Sequence, residues 1–189
     1  IVDGDRSAFG QKSDERGKSI QGFGITHVGD LLYDVHTTGE GMGVIDYTPI
    51  ENGQVAMTCV SVSSSVPLSS RNLRFTLVWF DYPAAIGVRK ALVNDLDLVV
   101  TGSNGKVYYG NGGTQADDIN TVEMVDIEAE SLQNGVNFKA YVIGSNVPIS
   151  PQRFSLVVSG AFVSSPSQCR STCPCNCSGH GSCGERASW

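Results

Sequence analysis

The stretch from Leu73 to Asn111, LRFTLVWFDYPAAIGVRKALVNDLDLVVTGSNGKVYYGN, constrains the fold more than any other part of the chain. Leu73, Phe75, Leu77 and Trp79 alternate with Arg74, Thr76 and Val78. Successive side chains of a strand point to opposite faces, so this run reads as a strand with one apolar face. Tyr82-Pro83 ends it, because proline has no N–H to give to a ladder. A second alternating run places Leu92, Leu96, Leu98 and Val100 on a buried face. Asp95 and Asp97 then stand together on the outer face, roughly 6–7 Å apart at the rise of a strand. Asn104-Gly105 is the pair favoured in a type I′ hairpin, and Lys106 to Tyr109 are predicted to return as the partner strand.

The same two-residue period recurs along the chain. Val44–Tyr47, Val55–Ser63, Thr121–Ile127, the run through Phe138, Ala140 and Val142, and the run through Phe154, Leu156 and Val158 all read as strands. Turn signals separate them, including the loop Asn146–Pro151. About eight short strands of this kind predict an all-β chain folded as a jelly-roll β-sandwich. Ile25, Val28, Leu31, Leu32 and Val35 instead follow helical spacing, which predicts a short amphipathic helix over about 25–34. The expected organisation is an N-terminal segment over 1–40, a sandwich over 41–163, and a linker with a cysteine-rich tail over 164–189.

Charge narrows the function. The chain has 13 Lys and Arg against 19 Asp and Glu, a net charge of −6, which argues against a nucleic-acid surface. No apolar run is long enough to span a membrane. A serine nucleophile needs a histidine base and an orienting carboxylate. The histidines, His27, His36 and His180, are scattered, and no Gly-x-Ser-x-Gly elbow is present. No catalytic residue is therefore assigned in this chain.

The acidic residues carry more. Asp81 closes the first central strand, Asp95 and Asp97 lie on the next, and Asp117, Asp118, Asn120 and Glu123 surround a later loop. Calcium takes six to eight oxygens from carboxylates, amides and carbonyls, and strand-end loops can gather them. Asp81, Asp95 and Asp97 are the candidate ligands, and the competing reading is that they are ordinary solvated charges.

Of six cysteines, Cys59 stands alone while Cys169, Cys173, Cys175, Cys177 and Cys183 crowd the C-terminal end. Such density among Gly and Ser reads as a disulfide framework and hence an oxidising, extracellular setting. Zinc bound by Cys173, Cys175, Cys177 and His180 is the rival reading. Cys59 is either a buried thiol or joined to the tail. Asn176-Cys177-Ser178 is a glycosylation sequon, which makes Asn176 a candidate acceptor.

The motifs WFD, ALVNDLDLVV, YYGN, NTVEMV and NVPISPQRFSLVVSG, in that order over about residues 55–163, resemble the P-domain-like β-sandwich that follows the catalytic domain in a branch of subtilisin-like serine peptidases. QGFGITHVGDLLYD resembles the end of such a catalytic domain, whose catalytic serine, aspartate and histidine motifs are absent here. The tail resembles the opening of an EGF-like module, with Cys173, Cys177 and Cys183 at its first three cysteines, and that resemblance implies a Cys173–Cys183 pair. The subtilase resemblance implies a non-catalytic C-terminal domain of a secreted endopeptidase that packs on its catalytic domain, binds calcium and helps position protein substrate. The alternative is an extracellular adhesion or carbohydrate-binding jelly roll, for which exposed aromatics around a groove, with Tyr82, Tyr108 and Tyr109 as candidates, would be the sign.

Overall fold

The computed structural model describes residues 41–62, 72–132, 136–160 and 167–168. The predicted helix at 25–34, the five clustered cysteines, Asn176 and the three histidines lie outside the described residues.

The described chain is two antiparallel sheets. One contains β1 (Gly41–Ile50), β8 (Gln152–Gly160), β3 (Leu73–Trp79) and β6 (Val122–Ile127), side by side in that order. The other contains β5 (Val107–Tyr109), β4 (Asp95–Gly102), β7 (Asn137–Asn146), β2 (Val55–Ser61) and β9 (Ser167–Gln168). Up to β8, chain neighbours mostly lie in opposite sheets, and β8 returns between β1 and β3. That is jelly-roll topology, two Greek keys wrapped face to face. The short β9 adds to β2 at the sheet edge, within the stretch predicted as linker.

The inward faces are those the alternation predicts. Leu73, Phe75, Leu77 and Trp79 of β3, Leu96, Leu98 and Val100 of β4, Phe138, Ala140 and Val142 of β7, and Phe154, Leu156 and Val158 of β8 form one buried core. Each fully buried side chain of this size contributes about 1.5–3 kcal/mol relative to exposure, which fixes the register of every strand. Leu92 packs against the core without joining a strand.

Two local expectations change. The β4–β5 connection is not a type I′ turn, because Asn104 keeps a negative φ and only Gly105, at φ 81°, is left-handed. Gly105 N–H bonds to the Gly102 carbonyl at 2.9 Å, and Gly102 N–H to that of Lys106 at 2.9 Å. A three-residue turn with the glycine at its left-handed position results. In β1 the predicted strand is longer, and it is broken by a bulge at Asp46–Tyr47, where Tyr47 takes φ 53°. Tyr47 is held there by Arg153, whose guanidinium lies 4.4 Å from the ring centroid and donates to the Tyr47 carbonyl at 3.1 Å.

Cys59 of β2 is disulfide-bonded, not a free thiol; the other cysteines of the chain lie outside the described residues.

Candidate functional site

The candidate residues gather at the end of the sandwich where β3 stops and β4 starts. The connection from Phe80 to Asn94 is exposed along most of its length but fixed at its base. Asp81 Oδ1 accepts from the backbone N–H groups of Tyr82 and Asn94, both at 2.8 Å, and Oδ2 accepts from Val93 N–H at 2.6 Å. Asn94 is fully buried: its amide donates to the Ile149 carbonyl at 2.7 Å and to Gln152 Oε1 at 2.8 Å, and its oxygen accepts from Ile149 N–H at 3.1 Å. Gln152 donates to the Phe80 carbonyl at 2.9 Å, and the Trp79 indole to the Asn94 carbonyl at 3.0 Å. Three separated motifs thus form one buried polar knot, in which each group finds a partner. Asp81, a predicted metal ligand, has both oxygens engaged in closing this loop.

Asp95 and Asp97 do lie on the face of β4 opposite the core, as the alternation requires. That face is nevertheless not solvated, since the two residues are only 8% and 7% exposed. A bulge opposite Asp95–Leu96 inserts Ser145 as an extra residue of β7, and its hydroxyl donates to Asp97 Oδ2. Lys90 reaches in from the exposed loop and places Nζ 3.2 Å from Asp95 Oδ2 and 3.4 Å from Asp118 Oδ2. The other oxygen of Asp95, Oδ1, is buried without a partner.

Glu123 is the least expected member. It shares parity with Val125 and Ile127 on β6, so its side chain enters the sandwich, where it is fully buried. The last β4–β5 pair is Val99–Tyr109; one residue further, Glu123 Oε2 accepts from Leu98 N–H at 2.7 Å. The carboxylate thus takes up an N–H of β4 at the point where β5 ends, and Oε1 is left buried and unpartnered. Gly110 makes room for it, because a Cβ there would lie 2.1 Å from Oε2. Asn111 follows at φ 58° and ties the loop down. It donates to Asp117 Oδ2 at 2.5 Å and the Val122 carbonyl at 3.0 Å, and it accepts from Met124 N–H at 3.2 Å.

The electrostatics follow from this crowding. Burial pushes the Glu123 carboxyl up to about 9; the Leu98 N–H bond opposes this, while Asp97, Asp117 and Asp95 add to it. Burial also raises Asp97, against the Ser145 hydrogen bond and with help from Asp95 and Asp117. Burial works in the same direction on Asp117. Hydrogen bonds from the Asn111 and Asn120 side chains and from the Ile119 and Asn120 amides outweigh it there, so its carboxyl lies below the ordinary value. Slight burial works against charge on Lys90, but its contacts with Asp95 and Asp118 prevail and hold the ammonium above its usual pKa.

Among the described residues no three acidic, histidine or cysteine side chains converge as a ready metal cage. The arrangement is a buried cluster of like charges, offset by one lysine, one hydroxyl and the proton retained on Glu123. Lys90 and Ser145 carry no sequence signature that marks them, whereas the inward parity of Glu123 with Val125 and Ile127 is readable. Of the three tyrosines considered for carbohydrate contact, Tyr82 is exposed, Tyr109 is half-buried, and Tyr108 packs on the core with its hydroxyl buried. No helix among the described residues is long and apolar enough to cross a membrane.

No protein-family model matches the chain. Two curated proteins of Dictyostelium discoideum are similar. Serine protease/ABC transporter B family protein tagD is 34% identical over 137 residues, covering 60% of this chain and 8% of the relative. Serine protease/ABC transporter B family protein tagB is 38% identical over 96 residues, covering 45% of this chain and 5% of the relative. The chain therefore spans less than a tenth of the length of these relatives. Their names fit a protease-associated, non-catalytic region of β-sandwich fold.

Proposed function

We propose that this chain is the non-catalytic jelly-roll part of a secreted subtilisin-like serine endopeptidase, packing on the catalytic domain and bracing it. The observation that carries this reading is the Phe80–Asn94 loop. Phe80 and Ile86 are almost wholly exposed, at 95% and 106%, with Tyr82 and Val88 also open, yet the loop base is held by the buried Asn94–Gln152 knot. A rigidly mounted set of exposed apolar side chains suits an interface with another folded domain. The likeness to two proteins named as serine proteases supports a protease catalytic domain as that partner. The adhesion reading draws less support, because Tyr108 and Tyr109 are not displayed.

Calcium belongs to the same proposal. Asp95 and Asp97 are hard oxygen donors on one buried face, and Asp95 Oδ1 is buried there without a partner. These groups fit a hard divalent ion in donor type. Such an ion would supply charge neutralisation between Asp95 and Asp97, with Asp81 contributing through the loop base it already organises. The chain's own residues orient the two carboxylates, and the covering loops keep water from screening them.

The test is thermal inactivation of the longer protease that contains this segment, comparing wild type with Phe80→Ser/Ile86→Ser. Faster loss of peptidase activity, with the isolated sandwich melting unchanged, supports packing on the catalytic domain. Equal inactivation rates overturn it.

A further inference from the structure

Cys59 lies on β2 and is disulfide-bonded. The chain's other five cysteines all follow β9, from Cys169 to Cys183. The bond therefore joins the sandwich to the C-terminal segment, and the register of β2 says where it leaves the sheet. Thr58 and Val60 are buried on the core face, so Cys59 points to the outer face by the two-residue period. Its cross-strand neighbours there are Lys139 of β7 on one side and Ser167 of β9 on the other. Gln168 pairs with Thr58, and Cys169 is the next residue along.

Parity gives Cys169 the face that Ser167 and Cys59 share. A diagonal neighbour on an antiparallel pair stands about 7 Å away, and a disulfide spans Cα atoms about 4.4–6.8 Å apart, so a slight bend of the chain closes the gap. Cys173 and the cysteines after it meet Cys59 only if the chain turns back on itself. The short strand β9 also calls for such a bond. It has two residues, both polar, and two ladder pairs. Each ladder bond contributes little net stability, and ordering each residue costs as much or more. A covalent tie one residue beyond Gln168 confines the segment to the edge beforehand and removes most of that entropic cost.

We propose that Cys169 is the partner of Cys59, and that this bond is a clasp holding β9 on β2 and mounting the cysteine-rich tail at that edge of the sandwich. Without β9, β2 is the last strand of its sheet. An uncovered edge offers unpaired N–H and C=O groups to any other chain. The clasp closes that edge and makes the tail start from a fixed point of the sandwich.

The experiment takes the intact chain, secreted into an oxidising compartment, alkylates it and digests it with trypsin without reduction. Cleavage after Lys18, Arg71, Arg153, Arg170 and Arg186 puts Cys59 in peptide 19–71, Cys169 in 154–170 and the other four cysteines in 171–186. Peptide 19–71 is expected joined to 154–170. Finding it joined to 171–186, or carrying an alkylated Cys59, overturns the pairing. The clasp itself is read by amide exchange in wild type and Cys169→Ser. Exchange over residues 57–60 and 167–168 should be roughly tenfold or more faster in the variant, with β3 unchanged, as expected for local opening of an edge. Equal exchange in the two proteins overturns the clasp even where the bond is mapped.

Discussion

On one face of β4, Leu96, Leu98 and Val100 are at most 1% exposed and belong to the common core; on the other, Asp95 and Asp97 are 8% and 7% exposed. Burial is nearly the same, and its energetic meaning is opposite. Apolar side chains gain by leaving water, under any ordinary condition of pH or salt. Carboxylates lose hydration, and recover it only through protons, hydrogen bonds or positive charge. Ser145 and Lys90 provide part of that recovery. One face of the strand therefore holds the fold unconditionally, while the stability of the other depends on what is bound.

The largest separation between the faces should come from changing each in turn. Leu98→Ala removes a core side chain but keeps the backbone N–H that Glu123 uses, and it should cost about 2–5 kcal/mol. Urea unfolding should give the same loss with calcium or chelator; a loss that depended on calcium would break the comparison.

The second effect belongs to the acidic face. Calcium at a hundredfold excess over its Kd adds about 2.7 kcal/mol if it binds only the native state. That raises the melting temperature by roughly 2–4 °C for each kcal/mol in a domain of this size. Asp95→Asn/Asp97→Asn should lose most of that rise yet melt no lower than wild type in chelator, because the amides keep the shape and remove buried like charges. A wild-type melting temperature indifferent to calcium would remove the metal from the proposal.

A third, smaller effect sharpens the role of Glu123. Gly110→Ala forces a methyl group against its carboxylate and should cost about 1–3 kcal/mol, the usual range for overpacking. An unchanged urea midpoint would mean that Glu123 can move aside freely.

What could be read in the sequence divides along the same line. Alternation in LRFTLVW and DLDLVV identifies the core faces of β3 and β4, because hydrophobic burial depends only on parity and apolar character. It also places Asp95 and Asp97 opposite the core. Parity, however, says nothing about what covers the outer face. Lys90 and Ser145 arrive through a loop path and a bulge, which are tertiary facts. The Asn104-Gly105 pair marks the right turn but not its type, since register and strand twist choose between compatible geometries. Glu123 is legible in the same way, because a carboxylate in phase with Val125 and Ile127 signals a buried acidic side chain. Motifs that look independent in the chain, WFD, NDLDL and NVPISPQRF, prove to be parts of the single knot around Asn94.

The most direct measurement is stability against pH in the presence of chelator, for wild type and Glu123→Gln. The folded Glu123 carboxyl titrates at about 9, against an ordinary value of 4.5 when unfolded. Between those values the native state keeps a proton that the unfolded state has lost, so stability must fall as pH rises. The raised Asp97 adds to the fall from the ordinary aspartate range upward, whereas the lowered Asp117 acts oppositely, on the acid side. Wild type should therefore lose stability steadily from about pH 5 to 9, at up to about 1.4 kcal/mol per pH unit. Glu123→Gln, which cannot ionise, should show a much flatter profile. Parallel profiles for the two proteins would contradict the claim that Glu123 is held in the sandwich as a protonated carboxyl, in a fold whose polar burial depends on what is bound while its apolar burial does not.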